Sequence, residues 1–143
     1  MGKFRWICII MLIFISAGCG EKITPEEESA AMDQAKAWLV LVDSEEYETS
    51  WREASDFLKE NVAEQKWVET LMAVRKPMGS IISRKVKSTQ FRTMMPQALK
   101  GKYLIIDYQS SFSNKRSIVE SITQMMGKDG KWRVAGYHLD KPV

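Results

Sequence analysis

The hydrophobic pattern of this chain changes its period once, at Lys76-Pro77-Met78-Gly79, and that change limits the fold more than any other feature. Before it, apolar residues recur every three or four positions, as on one face of a helix. After it they alternate, as on one face of a strand. Proline cannot continue a helix, and glycine takes the backbone angles that a reversal needs. Helices first and strands afterwards predict an α+β domain.

In the first half, Thr24-Pro25-Glu26-Glu27 offers a capping threonine, a proline suited to the first helical position and a glutamate that completes a capping box. Ala31, Ala35, Trp38 and Val42 then share one stripe. Asp43-Ser44 breaks the run, and Ser44 can cap a second helix whose stripe is Tyr47, Trp51, Ala54 and Leu58. Asn61 with Glu64 marks a third, with Ala63, Trp67, Leu71 and Val74 on its stripe. Trp38, Trp51 and Trp67 read as core anchors rather than a cofactor box. In the second half, strands are expected over 81–92, 103–112, 117–126 and 131–139. Ser113-Asn114-Lys115-Arg116 and Gly127-Lys128-Asp129-Gly130 are turns. Asn114 suits the turn because asparagine tolerates positive φ. The expected architecture is three N-terminal helices packed on a curved four-stranded antiparallel sheet.

The chain opens on a basic start, Lys3 and Arg5, followed by an apolar run from Trp6 to Phe14 that fades into small residues. These are the marks of a secretory signal. The run is shorter than the roughly 20 residues that a membrane-spanning helix takes. Ser16-Ala17-Gly18-Cys19 resembles the bacterial lipobox, with Ile15 one place ahead of the usual leucine. That resemblance implies cleavage before Cys19, a lipid thioether on its thiol and acylation of the new amino terminus. The expected divisions are a signal peptide over 1–18, a lipidated tether over 19–24 and one domain over 25–143. Cys8 lies in the removed segment, so the mature chain has one cysteine, already modified, and no disulfide. The expected location is the bacterial cell envelope. Gly20 after the cysteine, rather than an aspartate, resembles the pattern of other lipoproteins sorted to the outer membrane, which that resemblance implies where the host has two membranes.

Charge is segregated along the chain. From Glu21 to Glu69 there are 14 acids against 5 bases, and from Thr70 onward 14 bases against 4 acids. No acid occurs between Glu69 and Asp107. Two readings stand: a solvated basic sheet face complementing acidic helices, or a patch for anionic head groups or another envelope polyanion. Nucleic acid is not an expected partner in this compartment.

Few residues offer chemistry. His138 is the only histidine, so no histidine pair can hold a metal or relay a proton. Its strand is ambiguous, because Trp132 and Val134 share its face while Ala135, Tyr137 and Leu139 share the other. Asp107 falls opposite Leu104, Ile106 and Tyr108, so Asp107 and Tyr108 cannot line one pocket. There is no glycine-rich phosphate loop and no cysteine–histidine cluster. One constellation stands out: Arg84 shares a face with Ile82 and Val86, and Glu120 with Ile118, Ile122 and Met126. An acid and a base on the apolar side, one strand apart, should seek each other, because a buried unpaired charge is costly. Such a pair either fixes register or binds a ligand, with Arg84 holding an anionic or carbonyl group and Glu120 orienting it. Candidate ligand-binding residues are therefore Arg84, Glu120, His138 and Tyr108. Neither a catalytic residue, a metal nor a cofactor is expected.

The order of elements looks like the cystatin-like and nuclear transport factor 2-like group, in which helices close a curved sheet into a cone. Closer motifs are Ala37-Trp38-Leu39, Asp43 with Tyr47 and Trp51, and Val74-Arg75-Lys76-Pro77-Met78-Gly79. Ser83-Arg84-Lys85, Ser111-Phe112-Ser113-Asn114-Lys115, Glu120 and Trp132-Arg133-Val134-Ala135-Gly136-Tyr137 extend the set. Together they resemble the uncharacterised bacterial family called domain of unknown function 4019, over about residues 30 to 139. Pro96-Gln97 stands where that family usually has Pro-Gly. Some cone-fold relatives are isomerases or dehydratases, so an enzyme of that kind is a further alternative, which needs a carboxylate or His138 within hydrogen-bond reach of a second polar group in the cavity; the family resemblance itself assigns no activity. The expectation is a non-enzymatic, membrane-anchored binding or interaction module. A small-ligand binder would have an apolar cavity with Arg84 or His138 at its floor. An interaction module would have a filled cone and an exposed patch for an envelope partner or a second copy across the sheet.

A Cys19→Ser variant is expected to leave the membrane fraction on cell fractionation, whereas retention there would point to an uncleaved apolar helix.

Overall fold

Thr24 opens the first helix as a full capping box. Its hydroxyl accepts from the Glu27 amide at 3.2 Å, and its own amide donates to Glu27 Oε2 at 3.0 Å. The computed structural model describes residues 20–96 and 99–140. The expected signal peptide over 1–18 and the expected lipidation residue Cys19 lie outside the described residues. Helix α1 (Pro25–Asp43) buries Ala31, Ala35, Trp38, Leu39 and Val42 along one stripe.

The second expected helix is two. Helix α2 (Tyr47–Arg52) ends before Ala54, and helix α3 (Asp56–Asn61) starts afresh from Ser55. The cause is tertiary. The Ser55 amide donates to the Val134 carbonyl at 2.9 Å instead of to a helical partner, while its hydroxyl caps α3 by accepting from Leu58 N. Nor does Ser44 cap α2: its amide closes the end of α1 on the Val40 carbonyl, and Glu46 precedes α2 without a side-chain bond. Asn61 closes α3 by donating to the Phe57 carbonyl, and Ala63 precedes helix α4 (Glu64–Val74). The described helical part is thus four α-helices and one 3-10 turn, Lys76–Met78, where three helices are expected. Among the described residues no helix is long and apolar enough to cross a membrane.

Gly79 then turns the chain at φ +82. A Cβ there would meet Ser113 Oγ, which accepts from the Ser80 amide at 3.0 Å, so the helix–sheet junction closes around a bare backbone. Four strands follow: β1 (Ile81–Arg92), β2 (Tyr103–Phe112), β3 (Ile118–Met126) and β4 (Trp132–Asp140). They form an open antiparallel sheet in the order β1-β2-β3-β4.

Bulges decide what faces the helices. On β1 the register slips between Val86 and Ser88, so Arg84 and Val86 face inward before it, and Thr89 and Phe91 after it, opposite Ile106 and Leu104. On β4 an extra residue at Ala135 resets the alternation. Trp132 and Val134 point inward, and beyond the bulge so do Tyr137, opposite Ile122, and Leu139, opposite Glu120. His138 is thereby turned to the outer face. Inside, Trp38 sits edge-on to Tyr137 (centroids 5.5 Å apart) and tilted against Trp67 (6.1 Å). Their indole N–H groups are satisfied by Ser50, Trp38 on its carbonyl at 2.8 Å and Trp67 on its hydroxyl at 3.0 Å.

The two ends of the sheet differ. At one, the β1–β2 and β3–β4 connections meet the start of α1. Lys102 reaches Glu27 at 2.7 Å and Glu21 at 3.7 Å, and its carbonyl accepts from the Met126 amide. At the other lie Gly79 and the β2–β3 turn.

Candidate functional site

Asp43 is the last residue of α1, where unpaired carbonyls make the helix end negative and a carboxylate unfavourable unless cations compensate. Two guanidinium groups do so. Arg84 Nη1 donates to Asp43 Oδ2 at 2.8 Å and Arg84 Nη2 to Oδ1 at 2.9 Å, a bidentate clasp. Arg75, just beyond α4, donates from Nη2 to the same Oδ1 at 2.9 Å. Its Nη1 donates to the Gly79 carbonyl at 2.7 Å, and its Cζ lies over the Phe112 ring, 4.3 Å from the centroid.

Arg84 makes a second clasp on its other edge. Nε donates to Glu120 Oε2 at 2.6 Å and Nη2 to Oε1 at 3.1 Å. The Ser110 hydroxyl donates to Glu120 Oε2 at 2.8 Å, and the Tyr137 hydroxyl to Oε1 at 2.6 Å. Two acids and two bases therefore meet in a charge-balanced cluster joining α1, the end of α4 and all four strands. Glu120 is 0% exposed, and Ser110 is likewise buried.

Each ionisation state follows from this geometry. Burial pushes the Asp43 carboxyl up, but hydrogen bonds from Arg84 and Arg75 outweigh it and hold the group below the usual carboxylate range. Burial lowers the Arg84 guanidinium, but its bonds to Asp43 and Glu120 win and keep it charged at any ordinary pH. The Tyr137 hydroxyl is driven well up by burial and by the Glu120 charge, so it acts as a donor.

The chemistry open to this cluster is narrow. Four of the five N–H groups of Arg84 are engaged, and both Glu120 oxygens accept two bonds each. Glu120 presents no surface to solvent. Among the described residues no group of three His, Cys, Asp or Glu side chains is arranged to hold a metal.

The family model described as "Protein of unknown function (DUF4019)" matches residues 34–137. The chain belongs to this family. No curated protein matches the chain. The DUF4019 span contains every member of the cluster, from Asp43 to Tyr137.

Of the residues singled out in the sequence, Arg84 and Glu120 do meet on the inner face of this DUF4019 domain. Tyr108 is buried beside Glu120 in register, but its hydroxyl has no partner among the described residues. His138 does not belong to an interior floor. The Ala135 bulge places it outside, 70% exposed, with Nε2 2.7 Å from Asp140 Oδ1. Asp107 lies on the outer face and accepts from the Ser88 and Ser121 hydroxyls. The sequence reading of the chemistry missed Asp43, Arg75, Ser110 and Tyr137. For Asp43 a signal existed: an acid at a helix C-terminus needs a cation, and none lies in the last turn of α1.

Removing one charge of a buried pair typically costs about 3–5 kcal/mol, because the partner is left uncompensated. Glu120→Leu is expected to destabilise on that scale in chemical denaturation. Combining it with Arg84→Met, which leaves Asp43 and Arg75 balanced, should recover a large part of the loss. Asp43 also sets a pH dependence. Its folded pKa lies below the unfolded value of about 3.9, so its contribution is full above that pH and fades as pH falls through the folded value. Asp43→Asn should therefore be less stable at neutral pH and lose less further stability on acidification, as read from denaturation midpoints between neutrality and strong acid.

Proposed function

We propose that this DUF4019 protein is a lipid-anchored envelope protein whose domain binds partners through its surface and carries out no reaction of its own. The observation that carries the reading is the closure of the interior cluster. Arg84, the residue best suited to hold an anionic ligand, gives its hydrogen bonds to Asp43 and Glu120 instead. What remains for recognition is the exterior, where acidic helices and a basic strand face solvent in separate places. Lys85 and Lys87 are exposed on β1, an edge of the sheet. The anchor itself rests on the lipobox-like run ending at Cys19. Helices gathered on one side of an open sheet, with α1 crossing toward β4, support a cystatin-like or nuclear transport factor 2-like cone. A partner in the envelope or a second copy across the outer sheet face fits this reading.

A second reading, a small-ligand binder, is favoured by two details. The Tyr108 hydroxyl and both polar atoms of the Gln124 side chain are buried without hydrogen-bond partners among the described residues. Buried polar groups are normally satisfied, so a small polar guest or water would suit them.

Crosslinking and pull-down of the membrane-anchored protein, with mass spectrometry of proteins and extracted small molecules, separates the two. The surface reading expects a defined protein neighbour or a homodimer. A stoichiometric small molecule recovered alone would overturn it.

A further inference from the structure

The described parts of the β1–β2 connection, 93–96 and 99–102, are anchored by hydrogen bonds but present apolar side chains to solvent. Tyr103 is 1% exposed, and its hydroxyl donates to the Leu99 carbonyl at 2.5 Å. The Gly101 amide donates to the Thr93 carbonyl at 3.0 Å, closing the base of the loop. With its backbone fixed this way, Leu99 is nevertheless 77% exposed and Met94 66% exposed. Single exposed apolar residues are ordinary on protein surfaces. These two differ in their company.

Lys100 follows Leu99, Arg92 precedes the loop, and Lys128 and Lys131 stand in the neighbouring β3–β4 turn; all four are exposed. The acids at this end are largely neutralised: Lys102 takes Glu21 and Glu27, and Arg133 takes Asp129. In the first helical turn Glu26 and Glu28 remain, Glu28 accepting from the Thr89 hydroxyl, and near Arg133 Asp56 pairs with Lys59. Among the described residues no carboxylate pairs with Arg92, Lys100, Lys128 or Lys131.

This is also the end from which the tether leaves. Ile23 packs against the core, so only Gly20, Glu21 and Lys22 separate the folded domain from Cys19. Three extended residues span about 10 Å at most, close to one Debye length at physiological salt. The opposite end carries Lys115 and Arg116, but it lies a full strand away, roughly 30 Å.

We infer that the tether end of the domain docks on a phospholipid bilayer, with Met94 and Leu99 entering its interfacial layer and Arg92, Lys100, Lys128 and Lys131 lying on anionic head groups. The inference rests on the proposed lipid anchor, which holds this face within reach of the surface. Apolar side chains that enter lipid and bases that meet anionic head groups are the two components of interfacial binding.

The mature chain has no other thiol, so Met94→Cys, Leu99→Cys and Asn114→Cys can each carry one environment-sensitive fluorophore. The full-length lipidated protein is reconstituted in vesicles of phosphatidylethanolamine and phosphatidylglycerol, and flotation is measured first. Labels at 94 and 99 should shift to shorter wavelength and be quenched by nitroxide lipids. The label at 114 should stay water-like, and replacing phosphatidylglycerol with phosphatidylcholine should weaken the effect at 94 and 99. Floating vesicles with water-like labels at 94 and 99 would overturn the docking alone. Shielding without quenching by nitroxide lipids would assign this face to a protein partner and overturn it too. Failure to float would overturn the anchor and the docking together.

Discussion

The double clasp on Arg84 is the interaction on which the rest of the molecule depends. One guanidinium holds the end of α1 through Asp43 and the first part of β3 through Glu120. Taking four charges out of water is expensive, and their mutual attraction offsets that cost only when geometry is good and remaining polar atoms are satisfied. The first condition holds, and the second nearly so, with Arg75 Nε and one Arg84 N–H left without partners among the described residues. The carboxylates are gripped bidentately, Ser110 and Tyr137 fill the remaining acceptor positions on Glu120, and the charges cancel. Such a cluster contributes more to selecting one arrangement than to raw stability. A helix shifted by one residue would leave Asp43 and both arginines mismatched inside the protein.

Irregularities in the sheet let the clasp and the apolar core share one face. Without the slip between Val86 and Ser88, strict alternation would keep Arg84 inside only by turning Thr89 and Phe91 outward, away from Ile106 and Leu104. Without the extra residue at Ala135, Tyr137 would face solvent and Glu120 would lose a donor. Bulges here are the means by which charged and apolar residues of one strand share the same face.

Much of this was legible in the sequence. The period switch at Pro77–Gly79 reveals the helix-then-sheet order, and the four strands lie within a residue of their expected bounds, because alternation and turn residues agree locally. The Thr24 box forms from adjacent residues alone. The pairing of Arg84 with Glu120 follows from two charges on apolar faces. What was hidden depends on distant chain. Helices α2 and α3 are separate because Ser55 finds Val134, far along the sequence. His138 is outside because of a bulge that no local pattern announces. Asp43 and Arg75 each read as the end of a helix, which they are; that both ends meet around one guanidinium is a property of packing.

The cluster also has a history in time. Asp43 and Arg84 lie 41 residues apart, and Arg84 and Glu120 another 36. A chain that emerges amino terminus first, from a ribosome or through a membrane pore, presents Asp43 before any of its partners. It then presents Arg75 and Arg84 against that single acid, and Glu120 and Tyr137 only near the end. Asp43 and Arg75 balance each other once both have emerged, but Arg84 then adds a charge that only Glu120 matches. The complete cluster therefore forms only once the last two strands have arrived.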